Sequence, residues 1–531
     1  MLYGGLMIKV MLPERDFDYE LQALVVSFFP GQLVQVEVEG EENCTGICKE
    51  DKEALATINI KWSRYKISAD LKAKSFLISR QSFVTGDGDW HKHIDKRAHP
   101  YRTYYKNVLK KLVFETIRDF PGEMLPEGLT RRVPAWGTMT GVRPVKIVMD
   151  EMFKGTDTGI IRKSLDELYC LNSEKAELAI QVAKCEEALL KKADYKNGYS
   201  LYIGIPFCPT TCLYCSFTSY PYCRELAYSY LKALFKEMEY SSNIFKDKKL
   251  SCIYIGGGTP TSLDAFQLEK LLQNVCRYFP VDKSVEFTVE AGRPDSITEE
   301  KLRVLHSYGA GRISVNPQTM QNKTLDIIGR RHTARQVADA FNLARKTGFN
   351  NINMDLITGL PGENVKDFMD TLSQVGKLAP DSLTIHSLVV KRASKLREKI
   401  QEGGTGDGSS VLYMEEMFKL GQQFAMEQGY HPYYMYRQKN SAGCVGSTGQ
   451  ENIGYAKEGK ECLYNILIME EKQSILALGA GASTKLYHMG IGQVERIENV
   501  KDVNGYIGRI DEMIDRKKSI YDRLYKKNNG E

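Results

Sequence analysis

The sequence predicts an α/β protein: a partial barrel of six parallel strand–helix units, with an amino-terminal α+β module before it and a carboxy-terminal α+β region after it. Three observations predict this. Within residues 196–400, short apolar runs alternate with amphipathic helical stretches, the pattern of a parallel sheet with crossover helices. Residues 1–195 instead show period-two strands and a long helical stretch, ending at the lysine-rich Lys191-Lys-Ala-Asp-Tyr-Lys-Asn-Gly198. The Gly-rich stretch Glu402-Gly-Gly-Thr-Gly-Asp-Gly-Ser-Ser410 then sets off residues 401–531.

In the amino-terminal module, Gln32-Leu-Val-Gln-Val-Glu-Val38 and Ala56-Thr-Ile-Asn-Ile-Lys-Trp62 alternate apolar and polar residues, as half-buried antiparallel strands do. An amphipathic helix follows at 104–118, and Ser164 to Lys192 reads as helical, with apolar residues three and four apart. The core strands are expected at 200–206, 252–256, 284–290, 311–315, 350–357 and 382–389. Helices fit between them, such as Arg224–Tyr240 and Ala334–Thr347, the latter closed by Gly348. Such a barrel carries its chemistry at the carboxyl ends of its strands. The last region holds a helix at Ser410–Gln428 stopped by Gly429, a Tyr-rich strand Tyr430–Tyr436 and a Gly/Ala segment Leu476–Ser483. From Arg516 onward the chain is charged and is expected to fray.

Composition narrows the class. A chain of 531 residues with 42% hydrophobic and 26% charged content reads as a soluble protein of more than one domain. A net charge of +5 is too small to mark a nucleic-acid binder. The basic, aromatic run His91–Tyr105 has no nucleic-acid fold signature, so no such partner is expected. The start lacks the features of a signal peptide, and no apolar stretch is long enough to cross a bilayer. The 12 cysteines form no disulfide framework, which fits a reducing cytoplasm. Cys44, Cys48 and Cys223 read as plain thiols.

The chemistry-bearing motif is Cys208-Pro-Thr-Thr-Cys212-Leu-Tyr-Cys215, on a loop leaving the apolar run Leu201–Phe207. Three thiolates at this spacing can hold three corners of a cubane iron–sulfur cluster. A closed cluster takes four, so one iron is left for an exogenous ligand. Radical S-adenosylmethionine (SAM) enzymes use that arrangement, the methionine amine and carboxylate filling the vacancy. A structural zinc site is the competing reading, but it needs a fourth ligand and usually a second Cys-x-x-Cys knuckle, which the sequence lacks.

Later strand ends carry matching features. In Ile253-Tyr-Ile-Gly-Gly-Gly-Thr-Pro-Thr261 a strand runs into glycines, which let backbone approach a ligand. Thr259 reads as an N-cap with Pro260 at the first helical position, and a side chain at Gly257 would occupy the space of a bound methionine. Glu290 closes the third strand and needs a partner such as a ribose hydroxyl or an ammonium group. Gln318 lies just past strand four and Asp355 lies within strand five, where it serves a ligand or pairs with Arg312 or Arg330.

These motifs, in this order (Tyr202–Cys208, the cysteine loop, Gly256-Gly-Gly-Thr-Pro-Thr261, Arg312-Ile-Ser to Gln318, and Asp355-Leu-Ile-Thr-Gly-Leu-Pro361), resemble oxygen-independent coproporphyrinogen III oxidases and their relatives over about residues 199–490. Gly137-Thr-Met-Thr-Gly-Val-Arg-Pro144 and Pro432-Tyr-Tyr-Met-Tyr-Arg-Gln-Lys-Asn440 are similar to the HemZ branch of that family. The resemblance implies a [4Fe-4S] cluster on Cys208, Cys212 and Cys215. It implies contacts to cluster-bound SAM from Tyr202, Gly257, Glu290 and Ser483, with Tyr214 presenting backbone to it. In members that bind a second SAM, Gly258, Thr259, Gln318, Arg330, Asp355 and Val389 match its contact positions. The implied activity is anaerobic oxidative decarboxylation of coproporphyrinogen III to protoporphyrinogen IX, driven by a 5′-deoxyadenosyl radical and fed by a donor such as a flavodoxin or ferredoxin.

Three departures keep a second reading open. Phe217 stands where the oxidase proper has a fourth cysteine, Gly204 where relatives usually have His, and Asn316-Pro317 where Gly-Val is common. Phe217 is the pattern of the haem-chaperone branch, so a haem-handling protein without this turnover is the alternative. Hydrogen abstraction needs no general base, so His306, His332 and His386 read as ordinary hydrogen-bonded residues. Candidate cations for substrate carboxylates are Arg143, Lys146, Arg330, Arg331, Lys391 and Arg392, of which the resemblance supports Arg330.

Overall fold

The computed structural model describes residues 7–29, 32–40, 54–63, 66–84, 100–129, 131–215, 219–389, 396, 413–438, 451–488 and 493–525. Contacts divide the chain into two compact units, Met1–Gln181 with Arg437–Gln450, and Val182–Tyr436 with Glu451–Glu531.

In the first unit, strand β1 (Met7–Leu12), helix α1 (Asp18–Phe28) and strand β2 (Leu33–Val38) form a parallel β-α-β crossover. Strands β3 (Ala56–Trp62), β4 (Lys66–Ala73) and β5 (Phe76–Phe83) complete a sheet of order β2-β1-β3-β4-β5. The 33–38 strand is therefore parallel to its neighbour rather than antiparallel, because a helix, not a hairpin, joins it to β1. Ile8, Val10 and Leu12 alternate inward and pack with Leu21, Leu24 and Phe28 of α1. Helix α2 (Pro100–Arg118) lies against β4 and β5, and α3 (Val145–Phe153) follows.

The helical stretch expected from 164 to 192 is two helices, α4 (Thr158–Tyr169) and α5 (Ser173–Lys192). Cys170 breaks it in the left-handed conformation at φ 55°, and the Asn172 side chain accepts from Lys175 N at 2.8 Å to start the next helix.

The second unit opens with β6 (Gly198–Ile205), the short pair β7 (Phe207–Cys208) and β8 (Tyr220–Pro221), and α6 (Arg224–Ser241). Next come β9 (Lys249–Gly257), α7 (Ala265–Tyr278), β10 (Glu286–Glu290), α8 (Glu299–Ser307) and β11 (Arg312–Ser314). Then follow α9 (Asn322–Ile327), α10 (Ala334–Thr347), β12 (Ile352–Thr358), α11 (Val365–Leu378) and β13 (Ser382–Ser387). Strands β6, β9, β10, β11, β12 and β13 are neighbours in that order and parallel throughout, so all their carboxyl ends share one rim. In register, Gly204 faces Gly256, Glu290 faces Ser314, and Ser314 faces Asn353. Capping boxes at Asp264/Gln267, Thr333/Gln336 and Asn364/Asp367 start three of the crossover helices.

The break expected at 195 falls instead at 181/182, and the carboxy-terminal region is not separate. It comprises α12 (Met414–Glu427), β14 (His431–Arg437), β15 (Glu451–Ala456), α13 (Leu463–Glu470), β16 (Ser474–Leu478), β17 (Ser483–His488), β18 (Gln493–Glu498), α14 (Val503–Gly508) and α15 (Ile510–Tyr525). Strand β15 pairs antiparallel with β13, and β16 pairs parallel with β6, extending the sheet to eleven strands at both edges. Every residue of β15 and β16 is buried, so burial of these strands commits the region to the core sheet.

The end of the chain does not fray at Arg516. Helix α15 runs on to Tyr525, and Lys517 is fully buried, its Nζ 2.5 Å from Glu237 Oε1 and 2.9 Å from Asn499 Oδ1. Among the described residues no helix is long and apolar enough to cross a membrane. The Gly-rich 402–410 stretch, the 91–99 part of the basic run, Cys44, Cys48, Phe217, Lys391 and Arg392 lie outside the described residues.

Candidate functional site

The cysteine loop leaves β6 and is framed at its base by the two-residue ladder of β7 with β8. Tyr220 N donates to Pro206 O at 2.8 Å and Tyr222 N to Cys208 O at 3.0 Å. Its far side is pinned by Leu213 N donating to Ile328 O at 3.0 Å. Tyr214 packs against Leu325, Ile328, Ile357 and Leu360. Cys208, Cys212 and Cys215 are all half-buried and none is in a disulfide. Burial pushes the Cys208 thiol up from its ordinary value, partly offset by Thr259, whose hydroxyl lies 3.5 Å from its sulfur.

Two buried guanidinium groups flank the loop. Arg293 Nη1 donates to Cys212 Sγ at 3.4 Å and to Thr210 O at 3.3 Å, while its Nη2 meets Asp295 at 2.8 Å. Arg330 donates to Asn316 O at 2.5 Å and to the Tyr214 hydroxyl at 3.1 Å. Burial works against the charge of Arg330, yet Tyr214 and Cys212 together hold its pKa above the ordinary arginine value. Arg330 is 5% exposed, its guanidinium enclosed by protein groups rather than open to solvent. Arg331 beside it is exposed.

The glycine run ends β9 against the strand leading into the cysteines. Gly258 N donates to Ile205 O at 2.8 Å and Thr259 N to Phe207 O at 2.7 Å. A Cβ at Gly258 would lie 2.6 Å from Phe207 O and 3.1 Å from Cys208 Sγ. Gly257 adopts φ 108°, and a Cβ there would meet Ile205 N and O at 3.2 Å. The glycines are thus demanded first by the approach of two backbones, not only by room for a ligand. Gly257 is nevertheless exposed on the rim. Thr259 precedes a 3₁₀ turn, Pro260–Ser262, but its hydroxyl makes no capping bond; α7 is capped by Asp264 instead.

Glu290, at the end of β10, accepts from Tyr254 Oη at 2.6 Å. Burial raises its pKa to about 7, with Asp355 adding to the rise while Tyr254, the Gly257 N–H and Arg312 oppose it. Tyr254 stacks on Tyr464 at 4.5 Å between centroids and on Tyr202 at 6.3 Å, making an aromatic floor beneath the rim. Gln318 takes a left-handed φ of 66°, donates its N–H to Asp355 O at 3.0 Å, and leaves its buried Oε1 without a hydrogen-bond partner.

Asp355 pairs with neither Arg312 nor Arg330. It accepts from Asn353 Nδ2 at 2.8 Å and lies 3.9 Å from His386 Nε2. Burial would raise its carboxyl, but His386 pulls it below the ordinary range, and burial's opposite pull on His386 is outweighed by Asp355. Arg312 turns to Ser382 Oγ at 3.1 Å.

Ser483 opens β17 and its hydroxyl is buried with no hydrogen-bond partner. Strand β16 carries it to the rim beside β6, where Leu478 faces Ile203. Val389 is half-buried just past β13. His306 lies away from the rim, against Phe349. His332 departs from expectation: it is 3% exposed, both ring nitrogens lack hydrogen-bond partners, and burial, then Arg330, lowers its pKa to about 3. Cys223 is exposed and donates to Glu225 at 3.2 Å.

The donor set fits an iron–sulfur cluster. Three accessible thiols share one loop, and the buried charge of Arg330, bonded to Asn316 O and the Tyr214 hydroxyl and drawn also to Cys212, calls for a negative neighbour. Thiolates on a cluster beside Cys212 would supply it. The unpartnered Gln318 and Ser483 oxygens fit polar groups of a nucleoside ligand on the same rim.

Reasoning from sequence missed Arg293, Tyr254 and the His386 partner of Asp355. The available signal for Arg293 was an arginine in the loop directly after Glu290, on the side of the sheet where the chemistry lies.

The radical SAM superfamily model matches residues 202–375. The chain is 40% identical to the oxygen-independent coproporphyrinogen-III oxidase-like protein HemZ of Bacillus subtilis over 75% of this chain and 79% of that protein. It is 33% identical to the heme chaperone HemW of the same organism, covering 59% of this chain and 76% of the other. The solved structure of coproporphyrinogen III oxidase (HemN) from Escherichia coli covers 62% of this chain and 73% of its own at 22% identity, with a TM-score of 0.49. By its identity to these relatives over most of both chains, this chain belongs to the HemN/HemW family of radical SAM proteins.

Proposed function

We propose that the chain catalyses anaerobic oxidative decarboxylation of coproporphyrinogen III to protoporphyrinogen IX, binding one SAM on the cluster and a second beside it. The observation that carries this reading is the convergence on one rim of the cysteine loop with Gln318, Arg330 and Asp355, which a protein that only carries haem has less need to keep. The HemZ-named relative supports it further.

When bound, the cluster and SAM would supply the means to take a hydrogen atom from a substrate propionate; release of carbon dioxide and transfer of one electron to an external electron acceptor would then leave a vinyl group. The residues of the chain do the holding. Cys208, Cys212 and Cys215 ligate; Glu290, fixed by Tyr254 and the Gly257 N–H, orients SAM; Arg293 and Arg330 offset the thiolate charge. The stacked Tyr202, Tyr254 and Tyr464 form an apolar floor that holds the reacting groups in place.

The second reading, a haem-handling protein, is favoured by Phe217 and by the HemW relatives. Anaerobic incubation of reconstituted protein with reductant, SAM and coproporphyrinogen III separates the two. Products with one and then two vinyl groups, together with 5′-deoxyadenosine, are expected. Stoichiometric haem binding with no vinyl product across several reductants would transfer the assignment to the second reading.

A further inference from the structure

We propose that Cys185, His431 and Glu461 form a second metal site, which takes one zinc-class divalent ion. The residues come from three places in the sequence: Cys185 from α5, His431 from the first position of β14, and Glu461 from the turn before α13. One ligand atom from each lies within 4.8 Å of the other two, and all three side chains are half-buried. His431 Nε2 is 2.8 Å from Glu461 Oε1.

Sulfur, imidazole nitrogen and carboxylate oxygen together are the donor set that zinc takes, in preference to the all-oxygen sets of magnesium or calcium. Tetrahedral zinc would place these donors roughly 3.3–3.6 Å apart. The His431–Glu461 pair therefore opens by about half an ångström, and the thiol closes by about one at most. Three protein ligands leave a fourth position for water. Glu461 also lines a cavity of about 1030 Å³ with Lys460, Arg312 and Asn351, at the amino ends of β10, β11 and β12. That is the opposite end of the strands from the cysteine loop, so the ion would take no part in the radical chemistry. Its effect would be to staple α5, β14 and the segment before α13 together.

The competing reading of Cys, His and Glu is a nucleophile with its base. In that arrangement the imidazole would bond the thiol, whereas His431 Nε2 is engaged by Glu461 Oε1 at 2.8 Å. A bound divalent ion would displace the thiol proton to solvent. Thiolate and carboxylate together then balance the two positive charges of the ion.

The test must exclude metal on the cluster thiols. In full-length protein carrying Cys208→Ala, Cys212→Ala and Cys215→Ala, cobalt(II) titration should give one equivalent with a thiolate charge-transfer band and four-coordinate d–d bands. Zinc should displace it. Adding Cys185→Ser or His431→Ala should remove the bands. No stoichiometric cobalt, or bands unchanged by both added substitutions, would overturn the proposal. If the triple variant is insoluble, cluster-loaded protein washed with chelator serves instead. One zinc per chain by mass spectrometry, lost in Cys185→Ser at unchanged iron and sulfide, is expected; absence of zinc, or zinc retained in Cys185→Ser, would refute the site.

Discussion

Arg293 holds its Nη1 3.4 Å from the sulfur of Cys212 while its other face is locked to Asp295 at 2.8 Å. The guanidinium is 3% exposed and cannot swing away to solvent. A buried cation donating N–H to one thiolate of a cluster favours the more electron-rich oxidation state.

Arg293→Met should therefore leave the cluster assembled but harder to reduce. A hydrogen bond to a charged group contributes roughly 1.5–3 kcal/mol net, equivalent to about 65–130 mV for a one-electron couple. Arg293→Lys, which keeps the charge and loses the fork, should fall between. Redox titration followed by electron paramagnetic resonance reads this directly; equal midpoints in all three proteins at full iron content would rule it out.

Gly258→Ala should break the cluster site through backbone, not through the ligand. Its Cβ would lie 2.6 Å from Phe207 O, so the strand that leads into Cys208 must move. Overpacking of this kind costs roughly 1–3 kcal/mol. Thermal unfolding should shift down and iron per chain should drop together. Gly257→Val should behave similarly because φ 108° strains any side chain. Full iron loading with SAM cleavage alone lost would instead place the glycines purely on the ligand.

Glu290 makes stability depend on pH in a defined direction. Its folded pKa is about 7, above the ordinary 4.5, so the folded chain binds the proton more tightly than the unfolded one. The stability it lends is present below pH 4.5 and is lost as pH rises through about 7. Glu290→Gln removes that loss, on the order of 3 kcal/mol. Without SAM, the variant's melting temperature relative to the parent should be more favourable at pH 8 than at pH 5. A difference independent of pH would contradict the assignment.

Lys517→Met should destabilise the chain by roughly 3–5 kcal/mol, because Glu237 would stay buried without its cation. Lys517 and Glu237 are both fully buried, and Glu237 also accepts from Tyr506 Oη at 2.5 Å and Gly479 N at 2.8 Å. The double change Lys517→Met with Glu237→Leu should recover part of the loss. Denaturant unfolding of the three variants measures it; a loss under 1 kcal/mol for Lys517→Met would refute this account.

What the sequence made legible follows from which interactions are local. The strand into Cys208, the helix Ala334–Thr347 and its Gly348 stop depend on neighbours within a few residues, and the structure holds them where expected. Alternation in 33–38 could show a strand but not its direction, since direction is set by the helix that brings it back. Lys517 looked like a solvated charge because its partner is 280 residues away. By sequence Asp355 could meet Arg312 or Arg330, but register places His386 on the adjacent strand, where Ile357 faces it. Thr259 fits an N-cap by its position, yet its hydroxyl is turned to Cys208 by the bond of its N–H to Phe207 O.

Arg330 decides whether that rim serves the cluster or the substrate. Sequence reasoning placed it facing substrate carboxylates, which predicts that removing it spares the cluster. In the structure it spans Asn316 O and the Tyr214 hydroxyl, and Leu213 N, next to Tyr214, donates to Ile328 O just ahead of it. Arg330→Gln should therefore loosen the cysteine loop itself. Iron release to a chelator should quicken several-fold, and cleavage of SAM to 5′-deoxyadenosine should fall even with no porphyrinogen present. Arg330→Lys, which keeps the charge but not both bonds, should restore cluster retention only in part. If Arg330→Gln holds iron and cleaves SAM like the parent while losing only the vinyl product, the guanidinium faces the substrate after all.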